Sequence, residues 1–228
     1  MATWTLDPDV THLNHGSFGA CPSEVLDAQA RLRSEMERNP VGFMLHTYQP
    51  LLEESRKVLG GFIGADTDGL VFVPNATYGV NSVLRSLEST LRRGGEIVVT
   101  NQTYNACVNA ATVTAERIGG SLVVADVPFP IESQKQVVDA VLAAVTERTV
   151  LVMLDHVTSA TGLIWPVGEI AHQLEPDIPV LIDGAHAPGM IDLDVRDVGA
   201  SFYAANCHKW ICAPKGSAFL YVAERHRS

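Results

Sequence analysis

Apolar, β-branched runs recur along the chain at 69–73, 96–100, 121–127, 149–154, 180–182, 201–205 and 217–222, each bounded by turn residues. Several are continuous rather than alternating, as in strands buried on both faces of a mainly parallel sheet. Between them, apolar positions return at helical spacing. Residues 23–38 open with a serine after Pro22, and 50–63 carry Leu51, Leu52, Val58, Leu59 and Phe62 at that period. The segments 77–91, 104–118, 133–145 and 167–174 follow the same rule, with glycine pairs at 94–95 and 119–120 as turn signals. Strands alternating with helices predict an α/β fold, a three-layer arrangement around a mainly parallel seven-stranded sheet. The last run follows the short loop 213–216. A parallel crossover needs a dozen or more residues, so 217–222 is expected to be the one antiparallel strand. No internal repeat or low-complexity linker divides the chain.

At 228 residues, 46% of them hydrophobic, the chain can bury a sizeable core. A net charge of −10 argues against nucleic acid and anionic membranes, which attract basic patches. The first residues lack a basic region followed by an apolar core, and no apolar run approaches the ~18 residues of a membrane span. A cytoplasmic protein is the expectation. Cys21, Cys107, Cys207 and Cys212 form no CxxC pair and read as small buried residues in a reducing compartment. No spacing of histidine, cysteine and acid makes a zinc site.

GxGxxG, GxxxxGK[ST] and GxSxG are all absent, which removes the main support for nicotinamide, P-loop and serine-hydrolase chemistry. What stands out is the run 180–182 ending in Asp183, with Lys209 following the next run 26 residues later. Residues past the carboxyl ends of neighbouring parallel strands converge on one crevice. An acid and an amine there fit pyridoxal phosphate: lysine forms a Schiff base with the aldehyde, and the acid keeps a proton on the pyridine nitrogen. The same two residues also fit a buried ion pair or two unrelated loop charges. Residues 74–81 leave a strand and enter a helix near Thr77, which suits a phosphate cradle or a simple helix cap. Tyr104, after the next strand, can stack on a planar ring or pack on the protein. The stretch 155–162 brings hydroxyls to the same crevice, while His156 alone reads as a structural histidine. Together these are the parts of one pyridoxal phosphate pocket.

Five phrases carry a family resemblance: Leu13-Asn14-His15-Gly16-Ser17-Phe18-Gly19; Asn75-Ala76-Thr77; Thr158-Ser159-Ala160-Thr161-Gly162-Leu163-Ile164; Asp183-Gly184-Ala185-His186-Ala187-Pro188-Gly189; and Phe202-Tyr203-Ala204, His208-Lys209-Trp210 and Ala213-Pro214-Lys215-Gly216 in turn. In that order they resemble the class V aminotransferase-like enzymes of pyridoxal phosphate fold type I, most of all the isopenicillin N epimerase-like proteins. The resemblance implies that Lys209 holds the cofactor, Asp183 pairs with its ring nitrogen and Tyr104 stacks on the ring. Ser159 and His186 fall where the family contacts the phenolic oxygen. Ala76, Thr77, Asn206 and His208 fall at phosphate positions, with Asn206 replacing a more usual serine or threonine. His15 stands on the substrate side. The implied activity is at the α-carbon of a small-molecule amino-acid substrate. Epimerisation leads, with class V transamination or carbon–sulfur lysis as alternatives, and a non-enzymatic pyridoxal phosphate-binding module as a reading of another kind. The family also implies a homodimer. Residues 1–228 would then be an N-terminal segment plus the large domain, with the small C-terminal domain, which carries the arginine for the substrate carboxylate, absent from this chain.

Overall fold

The computed structural model describes residues 3–227; Met1, Ala2 and Ser228, which fall within the domain expected over 1–228, lie outside the described residues. Seven strands form one sheet: β1 (Leu70–Val73), β2 (Glu96–Thr100), β3 (Ser121–Ala125), β4 (Thr149–Asp155), β5 (Val180–Asp183), β6 (Phe202–Asn206) and β7 (Ala218–Val222). Their order is β1-β7-β6-β5-β4-β2-β3. β7 runs antiparallel to both β1 and β6, and every other neighbouring pair is parallel. The connection from β6 to β7, residues 207–217, holds no helix and falls short of a crossover, so β7 takes the single reversal that the sequence predicts. The helices are α1 (His15–Phe18), α2 (Ser23–Arg38), α3 (Pro40–Gly42), α4 (Tyr48–Ile63), α5 (Ala76–Leu87), α6 (Asn105–Arg117), α7 (Gln134–Ala144), α8 (Val167–Leu174) and α9 (Val195–Val198).

The period of two along each strand sends side chains to opposite faces. Ile97, Val99, Leu151, Met153 and Leu181 meet α5 and α6 in one core cluster. Val98, Val152, Leu154, Ile182 and Tyr203 enter a second, larger cluster with residues of α4, α7, α8 and α9. Both faces are covered, which is why β2, β5 and β6 are buried at every position and read as unbroken apolar runs. Each fully buried Leu or Ile contributes about 1.5–3 kcal/mol, so these two layers outweigh any single cap or surface ion pair.

Local chemistry sets the element ends. Asn75 caps α5, its Oδ1 accepting from Tyr78 N at 2.8 Å. Gly79 lets α5 lie close on β6, since a Cβ there would stand 3.0 Å from Ala204 Cβ. α5 stops at Leu87, short of the expected residue 91, because Thr90 turns its N–H and its hydroxyl onto the Leu87 carbonyl at 2.9 and 3.0 Å. α4 begins at Tyr48 rather than at Pro50, preceded by a π-helical turn over Phe43–Thr47. Pro50, which has no N–H to give to the preceding helical turn, lies just past this change of period. Among the described residues no helix is long and apolar enough to cross a membrane. All four cysteines are free thiols, three buried and Cys212 partly so.

Candidate active site

The carboxyl ends of β4, β5 and β6 and the amino ends of α5 and α6 open onto a cleft of about 600 Å³. Eight of the expected site residues line it: Asp183, Lys209, His186 and Tyr104, together with Thr77, Ser159, Asn206 and His208. The register of β4 on β5 pairs Asp155 with Asp183, and both follow the face that carries Met153 and Leu181. Two carboxyls are therefore buried side by side. Asp183 Oδ2 accepts from Cys107 Sγ at 3.2 Å and Oδ1 from Ala185 N at 3.0 Å. Asp155 Oδ1 accepts from Tyr104 N at 3.3 Å, and its Oδ2 has no partner among the described residues. Burial, and then the charge of Asp183, raises the Asp155 carboxyl well above the usual range. Burial raises Asp183 too, against the Cys107 and Ala185 hydrogen bonds and Lys209. Cys107 is pushed up by burial and by Asp183, so its thiol keeps the proton it donates. The pair is suited to accept a hydrogen bond from a cationic ring nitrogen.

Lys209 Nζ lies 2.9 Å from His186 Nε2. Burial lowers the lysine's pKa while Asp183, Cys107 and Asp155 oppose the shift. Burial and then Lys209 bring His186 down to about 4. The turn that joins Asp183 to His186 requires glycine at 184, where a Cβ would stand 2.2 Å from the Tyr203 ring. Beneath it His156 Nδ1 meets Tyr203 Oη at 2.7 Å. His156 is buried in this contact and does not line the cleft, the structural role that its sequence context suggests.

At the amino end of α5, Ala76 N donates to Asn206 Oδ1 at 2.8 Å, and the N–H groups of Tyr78 and Gly79 bond to Asn75. Thr77, whose N–H makes none of these bonds, lines the cleft. Asn206, its oxygen committed to Ala76, keeps its amide N–H groups as donors. Ala76, expected at a phosphate position, is instead buried off the cleft, and its N–H is given to Asn206. His15 is also not among the lining residues. The 13–19 phrase forms α1, whose Gly16, Ser17 and Phe18 reach the cleft, while the His15 ring packs against Trp4, His12 and Trp210 at centroid distances of 5.4, 4.8 and 5.9 Å.

An anion-binding helix end, an aromatic face at Tyr104, an unpartnered carboxylate oxygen and a half-buried lysine fit a planar, phosphorylated aldehyde. With a sheet of this order they give the chain the fold of the fold type I pyridoxal phosphate proteins. The chain belongs to the aminotransferase class-V family, whose model matches residues 19–228, and pyridoxal phosphate is the cofactor of that family. It is 37% identical over 224 residues to an isopenicillin N epimerase of Amycolatopsis lactamdurans, covering 96% of this chain and 56% of that protein. A putative L-cysteine desulfhydrase 1 of Oryza sativa subsp. japonica is 34% identical over 227 residues, covering 93% of this chain and 47% of that one. A solved structure of a C-DES mutant with glycine covalently linked to the PLP cofactor superposes with a TM-score of 0.84 at 23% identity, covering 96% of this chain and 58% of that one. The chain spans about half the length of these curated relatives.

Proposed function

We propose that this protein acts at the α-carbon of a small amino acid, with epimerisation as the leading reaction. The observation that carries the reading is the meeting of Lys209 and the buried Asp183 at adjoining strand ends beneath the amino end of α5. Pyridoxal phosphate, when bound, supplies the electron sink that makes an α-proton acidic. Lys209 would hold it and afterwards serve as the base at Nζ, taking the α-proton. Asp183, backed by Asp155, would keep the ring nitrogen protonated. Tyr104 would cover the ring face, Ser159 and His186 would bond the phenolic oxygen, and Thr77, Asn206 and His208 would hold the phosphate. Inversion needs a second acid on the opposite face, a role for which Tyr104, as a cleft residue with a phenol, is better placed than His15.

A carbon–sulfur lyase is the second reading, favoured by the similarity to the cysteine desulfhydrase. The same Nζ base would remove the α-proton and a β-sulfur group would leave as thiol. Homodimerisation is part of the proposal: α2 has no buried residue, and with Met44 and Leu51 it leaves an apolar groove of about 460 Å³ open. A cytoplasmic location accords with the acidic, cysteine-reduced chain. The test is incubation of the full-length protein with an amino-acid panel in heavy water, following α-deuteration, optical rotation, keto-acid and sulfide. Deuteration with inversion and no keto-acid is expected. Sulfide with pyruvate would replace epimerisation by the lyase reading, and neither deuteration nor sulfide with any amino acid would overturn both.

A further inference from the structure

Both ring nitrogens of His186 are engaged, and the chemistry of the partners fixes where its proton sits. Trp210 Nε1 lies 3.3 Å from His186 Nδ1, and an indole N–H can only donate. Nδ1 must therefore present its lone pair. Nε2 lies 2.9 Å from Lys209 Nζ. A neutral imidazole has one N–H and one lone pair, so with Nδ1 accepting, Nε2 is the donor. Its partner Nζ must then accept, and only an unprotonated amine has a lone pair with which to do so. The surroundings hold these rings in place. A Cβ on Gly16 would stand 2.9 Å from His186 Nδ1, and one on Gly189, at φ 87°, would stand 2.6 Å from the Trp210 carbonyl oxygen.

We propose that Trp210 is a positioning residue whose indole N–H locks His186 in the Nε2–H tautomer, so that His186 donates to Lys209 Nζ and favours the nucleophilic amine. The tautomer stands on geometry alone; its consequence rests on the reading of Lys209 as the cofactor-bearing lysine. The charged and titratable groups facing Lys209 are Asp183 from β5, Asp155 from β4, Cys107 from α6, and His186 and His208 beside it. Both carboxylates favour the ammonium form, which has no lone pair for the His186 donor. The tautomer thus opposes them at the one atom that must attack. In that attack Nζ adds to the aldehyde carbon through its lone pair, and the carbonyl oxygen leaves as water.

The test replaces the indole by Trp210→Phe in cofactor-free protein. Nitrogen-15 NMR of His186 should show a single Nε2–H tautomer in the unaltered protein and a mixture in the variant. The rate at which pyridoxal phosphate adds to Lys209, trapped with borohydride and read by mass spectrometry of that peptide, should have its pH midpoint raised by about one unit in Trp210→Phe. A His186 Nδ1–H tautomer in the unaltered protein would overturn the proposal, and so would an unmoved tautomer and midpoint in the variant. If Trp210→Phe fails to fold, the unaltered protein's spectrum still tests the proposal, since an Nδ1–H signal there overturns it. A pyridoxyl group found on another lysine would overturn the Lys209 assignment while leaving the tautomer measurement standing, so the two failures are distinguishable.

Discussion

His156 gives a pH dependence that follows from its burial. It is only 8% exposed, and its Nδ1 is held 2.7 Å from Tyr203 Oη. Burial takes its pKa from 6.5 to about 4. Such a separation is worth about 3 kcal/mol between the two protonation states. The unfolded chain takes up a proton near 6.5, whereas the folded protein resists until about 4. Stability from this residue is therefore fully present above the unfolded value and is lost as pH falls towards the folded one. His186 has the same sign. The raised carboxyls Asp155 and Asp183 have the opposite sign, because they bind protons more readily folded than unfolded. A single pH curve mixes these effects, so the difference between two proteins is the useful quantity. His156→Asn keeps an amide near the Nδ1 position and does not titrate. Urea unfolding followed by near-ultraviolet circular dichroism at pH ~7.5 and ~5.0 should show the parent losing about 2 kcal/mol more than the variant. Equal losses in the two proteins would mean that His156 titrates near its ordinary value, and the buried His156–Tyr203 contact would be wrong.

Three further outcomes are expected. Thr77→Ala should weaken pyridoxal phosphate affinity by about 1–3 kcal/mol in a spectroscopic titration; unchanged affinity with a lower melting temperature would leave Thr77 a helix residue only. Gly184→Ala should lower thermal stability by about 1–3 kcal/mol or more, because the new Cβ would meet the Tyr203 ring at 2.2 Å; a melting temperature equal to the parent's would contradict the turn geometry. Asp183→Asn should keep the cofactor while slowing α-proton exchange about a hundredfold or more, and parental exchange would remove Asp183 from the mechanism.

The sheet was legible because burial on both faces writes each strand as a continuous apolar run, and because the helix-free connection 207–217 falls short of a parallel crossover. Asp183 and Lys209 were legible for a related reason: one closes β5 and the other follows β6, and both strand ends are sharply marked. Asp155 sits at an equally marked end, yet its importance depends on the β4–β5 register that sets it beside Asp183, and register is not written in either strand alone. Cys107 was read as a small buried residue, as it is, but its contact with Asp183 depends on the docking of α6. The contact of Trp210 with His186 depends on how two loops interlock, and no periodicity reports that. The segment 40–47 joins a short helix to a π-helical turn, a mixture of periods that no single template detects. His15 was read from a phrase whose neighbours reach the cleft, while four-residue α1 turns its own ring elsewhere.

The chemistry of the cleft turns on one nitrogen, Lys209 Nζ. Reduction of the cofactor-loaded protein with borohydride, followed by peptide mapping, should place the pyridoxyl group on Lys209. Finding it on Lys57, Lys135 or Lys215 instead would contradict the central claim, whatever the activity of the protein.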